Sequence, residues 1–91
     1  MSILKRLFGG KPGLPAEAAS EAYGDYRIVP DPIAEGAVHR LAARIEKDTG
    51  DQTKVHRMIR ADTFQNRDQA IAAAIVKAKQ VIDEQGDDLF D

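Results

Sequence analysis

The clearest pattern in the chain is a change of hydrophobic period between its middle and its C-terminal end. Across residues 38–48 apolar and polar positions alternate, with Leu41, Ala43 and Ile45 on one side, which is the period of a half-buried strand. Across residues 67–85 apolar positions recur three and four apart, which is the period of an amphipathic helix. The chain is therefore predicted to pack a C-terminal helix on a sheet.

Two more segments have the composition of strands. Residues 23–30 alternate until Pro30 and Pro32 stop the run, and residues 31–36 are predicted to form a loop. A last strand is predicted from Gln52 or Thr53 to Ala61, after a turn at 49–52 that supplies a glycine. The fold class is therefore α+β, a three-stranded antiparallel sheet in β-β-β-α order, covered on one face by a long C-terminal helix.

The four-residue turn also predicts a register. It pairs Ile45 with His56, Ala43 with Met58 and Leu41 with Arg60, so that Met58 points into the core. Because side chains alternate along a strand, a slip of one residue would exchange the two faces of the last strand. In the predicted register, the face away from the helix receives the residues Arg40, Ala42, Arg44, Val55, Arg57 and Ile59.

The helix has both of its expected boundary signals. Asn66 is predicted to cap its first turn, with Gln69 at capping-box spacing, and Gly86 is predicted to end it. Asp62 and Thr63 are predicted to form the turn before it. The stripe facing the sheet is predicted to contain Ile71, Ala74, Ile75, Ala78, Val81 and Ile82. The acidic residues after the helix are predicted to form a solvated tail.

The N-terminal quarter of the chain has a different composition. Residues 1–8 could form a short amphipathic helix with Ile3, Leu4, Leu7 and Phe8 on one side, and we expect either a frayed tail or a docking segment. Residues 9–22 are rich in glycine, proline and small residues, as in flexible linkers. The predicted organisation is a flexible tail and linker over 1–22, and a single small domain over 23–91.

Composition limits the chemistry that the chain can perform. It has 91 residues, 43% hydrophobic and 31% charged, and no cysteine, so disulfides and cysteine-ligated zinc are excluded. No apolar run is long enough to span a bilayer, and the apolar stretch at the N-terminus is too short for a secretory signal. These features favour a cytoplasmic protein. His39 and His56 have no partners at ligand spacing, so no metal, cofactor or catalytic group is predicted.

Charge is unevenly distributed along the chain. Residues 38–60 have six basic and three acidic side chains, whereas residues 61–91 have three basic and seven acidic. The basic residues are balanced by Glu46 and the acidic C-terminal part, or they bind an anionic partner such as the phosphate backbone of DNA. The candidate face for an anionic partner consists of Arg40, Arg44, Lys54, Arg57 and Arg60. A second candidate surface, for contact with a protein or a second subunit, is the apolar outer side of the helix at Ala72, Ala73 and Val76.

Several segments together resemble the HlyU family of small bacterial proteins. They are residues 1–10 (MSILKRLFGG), 26–30, 44–47, 56–64 (HRMIRADTF) and 82–90 (IDEQGDDLF), which extend over nearly the whole chain. The family tends to have an aromatic residue at position 58, where Met58 keeps the apolar character. The resemblance implies a transcriptional activator. We therefore expect a non-enzymatic regulator that binds nucleic acid or a transcription-related protein. The alternative is a protein–protein adaptor, monomeric or dimeric, with no role at nucleic acid.

Overall fold

The computed structural model describes residues 19–91 and shows an α+β domain with an antiparallel sheet and one long C-terminal helix. The predicted fold class is confirmed, but the described part of the chain has five strands and not three. A short 3₁₀ helix follows the long one. The elements are β1 (Glu21–Tyr23), β2 (Tyr26–Pro30), β3 (Ile33–Glu35), β4 (Val38–Asp48), β5 (Thr53–Phe64), α1 (Arg67–Gln85) and the 3₁₀ helix (Gly86–Phe90).

The two additional strands arise from short-range turns. The predicted strand over 23–30 is interrupted at Gly24, whose φ of 61° allows a tight turn between β1 and β2. The predicted loop over 31–36 contains β3, which pairs with the first residues of β4. Strand β4 is therefore the centre of the sheet, with β2 and β3 following one another along one edge and β5 along the other.

The register between β4 and β5 is regular in its middle and shifted at one end. Ile45 pairs with His56 and Ala43 with Met58, as the four-residue turn predicts. The predicted pairing of Leu41 with Arg60 does not form, because the register shifts between Arg40 and Ala42. Beyond that irregularity Arg40 pairs with Thr63. Residues 62 and 63 therefore belong to β5, and their predicted role as turn residues is wrong.

Both ends of α1 are capped by the predicted residues, although the backbone of Gly86 (φ 54°, ψ −132°) does not adopt the left-handed helical conformation that is usual for a glycine cap. Asn66 Oδ1 accepts hydrogen bonds from the backbone N–H groups of Asp68 at 2.7 Å and Gln69 at 3.2 Å. Gly86, with a φ of 54°, donates its N–H to the carbonyl of Ile82. The chain then continues into the 3₁₀ helix, which buries Leu89 against the core. The acidic side chains of this region are exposed, as predicted, but the backbone that bears them is helical and does not form a tail.

The core lies between the sheet and α1. Ile28, Leu41 and Ile45 are at most 2% exposed and supply most of its bulk. The helix faces them with small side chains spaced four residues apart, since a sheet surface filled by large residues leaves room only for small ones. Ala70, Ala74 and Ala78 are fully buried, whereas Ile71 and Ile75 are half-buried, so the helix is rotated relative to the predicted stripe.

The N-terminal predictions fall mostly outside the part of the chain that the structure describes. The amphipathic segment with Ile3 and Phe8, and residues 9–18 of the predicted linker, lie there. Glu21 and Ala22, at the end of that linker, form part of β1. Within residues 19–91, no helix is both long and apolar enough to cross a membrane.

Candidate functional site

The side of the sheet opposite α1 is the first candidate surface, and we call it the open face. The register places Arg44 directly opposite Arg57 on this face, with Arg40 and Ile59 further along. It also contains a charged pair that lies across β2 and β4, Arg27 and Glu46. The open face consists of Arg27, Val29, Arg40, Ala42, Arg44, Glu46, Val55, Arg57 and Ile59. Three of these residues, Val29, Ala42 and Glu46, are buried beneath their neighbours.

Glu46 forms ion pairs with two of the arginines on the open face, and its single negative charge balances one of their two positive charges. Glu46 is buried, with 9% of its surface exposed. Its Oε1 accepts hydrogen bonds from two nitrogen atoms of Arg27, from Nε at 3.1 Å and from Nη2. Its Oε2 accepts from Arg44 Nε at 3.1 Å. The hydrogen bond from Arg27 and the neighbouring Arg44 hold the pKa of Glu46 below its ordinary value, although burial acts in the opposite direction. Arg44 also approaches Asp31, with 3.8 Å between Nη1 and Oδ2.

Arg40 is occupied by a carboxylate of β3. Its Nε and Nη2 donate to the two carboxylate oxygens of Glu35 at 2.7 and 2.8 Å, the bidentate geometry that arginine favours. This contact lowers the pKa of Glu35. Its Nη1 donates to the backbone carbonyl of Arg60 at 3.2 Å, close to the irregularity between β4 and β5. Arg40 therefore links β3 to β5 and has few donors left for a ligand.

The three remaining predicted cations all lie on β5. Lys54, Arg57 and Arg60 are exposed, and none of them makes an ion pair with another residue in the described range. Lys54 and Arg60 alternate with Arg57 and therefore project from the opposite side of the strand. The five predicted cations thus do not form one surface.

Strand β5 has a second feature, an unoccupied edge. In the part of the chain that the structure describes, it pairs with β4 alone, so its other edge presents free backbone donors and acceptors. Val55 is 50% exposed and Ile59 is 52% exposed, and they flank Arg57 on the open face. The sequence predicts where these side chains lie, but their alternation carries no information on whether another of the strands within residues 19–91 pairs with this edge.

The acidic C-terminal residues contact the sheet at the side of α1. Tyr23 donates its hydroxyl to Asp83 at 2.8 Å, and Tyr26 donates to Asp87 at 2.6 Å. Lys47 Nζ lies 2.8 Å from the same Asp87 carboxylate, and the hydrogen bond from Lys47 lowers the pKa of Asp87. These contacts bind the end of the chain to β1, β2 and β4. Asp83 and Asp87 therefore do not balance the arginines of the open face.

The second predicted surface is on the outer side of α1. Val76 is 59% exposed and Ala72 is exposed, whereas Ala73 is half-buried and packs against the core. This leaves a single large apolar side chain at that position. His39 and His56 are half-buried, and no three side chains of the described residues cluster in a way that could hold a metal ion.

The comparison with protein families gives a match over nearly the whole chain. A family model described as "Transcriptional activator HlyU" matches residues 2–90 of the 91-residue chain. Searches of curated proteins and of solved structures found no match.

Proposed function

The chain belongs to the HlyU family, whose description is that of a transcriptional activator, and on that premise we propose a non-enzymatic regulator that acts through a protein partner. We place the contact on β5, at the row formed by Val55, Arg57 and Ile59. Transcription takes place in the cytoplasm of bacteria, and we place the protein there.

The observation that carries this proposal is that Arg27, Arg40 and Arg44 on the open face are already paired with carboxylates of the same domain. Binding to DNA draws most of its free energy from cations that replace the counterions of the phosphates. Arg40 and Arg44, the central members of the predicted anionic-partner face, are already paired with Glu35 and Glu46. A phosphate would have to compete with these carboxylates, which disfavours DNA as the partner.

The exposed row on β5 has the composition of a protein contact. Apolar side chains beside an arginine are typical of the central part of protein interfaces. Val55 and Ile59 are half-exposed, so a partner can bury them. Because β-branched side chains are already restricted at χ1, they lose little conformational entropy when a partner covers them. The outer side of α1 offers only Val76, so the geometry favours β5 over the helix as the contact.

A DNA titration tests whether the partner is a protein or DNA. A fluorescently labelled duplex of mixed sequence, and sheared genomic DNA as competitor, are titrated with the purified protein at about 0.15 M salt and at lower salt. We expect no binding at the higher salt concentration. The double variant Arg44→Ala/Arg57→Ala is the comparison. Binding at about 0.15 M salt that weakens in this variant, together with a smaller salt slope, would overturn the proposal in favour of phosphate contacts.

A further inference from the structure

We propose that β5 binds its partner by strand addition, and that the strand it accepts is acidic, with β-branched residues between its carboxylates. The inference rests on the proposed function, since it names the chemistry of the partner segment at the same strand.

The backbone of β5 provides the first part of the argument. The strand runs for 12 residues and is paired on one edge by β4 over most of that length. Within residues 19–91 the other edge has no neighbour, and its residues are exposed except at His56, Met58 and Phe64. An extended peptide can bind such an edge through main-chain hydrogen bonds, while the alternate side chains provide specificity.

The charges of β5 predict that the partner segment is negatively charged. The strand has three exposed cations, Lys54, Arg57 and Arg60, and a single carboxylate, Asp62. None of the cations makes an ion pair within 4.0 Å among the described residues, although the charge of Lys54 contributes to lowering the pKa of Asp87. Basic side chains along a sheet edge disfavour pairing with an identical strand, because like charges would meet across the new ladder. The same side chains favour an acidic strand over a second copy of this chain.

The alternation of β5 also fixes the pattern of the partner. Residues opposite Val55 and Ile59 lie on the open face and would be β-branched, whereas residues opposite the three cations would be acidic. With threonine, a polar residue that favours strands, chosen opposite His56 and Met58, the peptide that faces residues 54–60 is Glu-Val-Thr-Glu-Thr-Val-Glu. It reads the same in both directions, so one probe serves for parallel and antiparallel addition.

The test is an NMR titration of the full chain with this heptapeptide. We expect chemical-shift changes confined to β5 and slower hydrogen exchange at every second backbone amide between Lys54 and Arg60, since a ladder engages alternate residues. The control peptide, Lys-Val-Thr-Lys-Thr-Val-Lys, is expected to bind at least about tenfold more weakly because it opposes the charges of β5. Arg57→Glu should reduce this preference by about tenfold, and the matched charge reversal on the helix, Lys77→Glu, should leave it unchanged.

Three results would overturn the inference. They are equal binding of the two peptides, binding that leaves the β5 amides unprotected, and protection of those amides without peptide in a dimer that sedimentation detects. The third result would assign the edge to a second copy of the chain. None of the three refutes the proposed function. That function is tested separately, by the DNA titration above and by the effect of the substitution Ile59→Glu on transcription.

Discussion

The rotation of α1 on the sheet predicts a large difference between two chemically identical substitutions. Ala74→Leu and Ala72→Leu add the same three carbon atoms to the same helix, with the same change in helix propensity. Ala74 is fully buried against the sheet, whereas Ala72 is exposed. Any difference in stability between the two variants therefore reports packing.

The expected magnitude follows from the lack of space at position 74. Extra methylene groups in a well-packed core cost about 1–3 kcal/mol, and a surface substitution changes stability by about 0.5 kcal/mol or less. In a domain of this size each kcal/mol corresponds to roughly 4–8 °C in Tm. Ala74→Leu should therefore lower Tm by roughly 4–24 °C, and Ala72→Leu by no more than about 4 °C. Thermal and urea unfolding followed by circular dichroism measure both. Equal losses would refute the orientation of the helix described above.

Three further predictions concern the stability of the fold and involve the core, the helix cap and the buried carboxylate. Ile45→Ala should cost about 2–5 kcal/mol in urea unfolding, because Ile45 is fully buried, and half-buried Ile75→Ala should cost less. Asn66→Ala removes the acceptor for two backbone N–H groups and should cost about 0.5–2 kcal/mol, with Asn66→Ser, which keeps an acceptor, close to the parent protein. Because the folded-state pKa of Glu46 is lowered, its ionisation stabilises the fold above the unfolded-state pKa of about 4.3, and this contribution disappears as the pH falls through the folded-state value. Glu46→Gln should therefore lose less stability than the parent between about pH 5 and pH 3; an equal loss would show that the carboxylate is not the group responsible.

The sequence predicts the parts of the fold that depend on long periodic segments and strong caps. The bounds of β4, the pairing of Ile45 with His56 and the capping of α1 at Asn66 follow from alternation, turn length and capping chemistry. Shorter elements depend on contacts that the sequence does not specify. The three residues of β3 form a strand only because β4 extends beyond β2 and offers them an edge.

The candidate site is predicted less completely, for the same reason. Glu46 is a foreseeable counterion, since it lies on the same strand as Arg44. Asp31 and Glu35 belong to a segment predicted to be a loop, and only the pairing of β3 with β4 brings Glu35 to Arg40. The rotation of α1 depends on side-chain volumes, because alanine and isoleucine count equally as apolar in a pattern while only alanine fits against Ile28 and Ile45.

The proposed regulatory role of β5 can be tested most directly by transcript profiling in a deletion strain of the source organism, complemented with the parent protein or with a variant. Ile59→Glu and Val76→Glu are a matched pair, since both place a carboxylate at an exposed apolar position, one on β5 and one on α1. We expect Val76→Glu to restore the transcript profile and Ile59→Glu to fail, although both proteins accumulate and unfold at the same temperature as the parent. Restoration by Ile59→Glu would contradict a contact at β5. If Val76→Glu alone fails to restore the profile, the contact lies on the outer side of α1. If the deletion itself leaves the transcript profile unchanged, the protein has no role in transcription and the adaptor alternative is favoured.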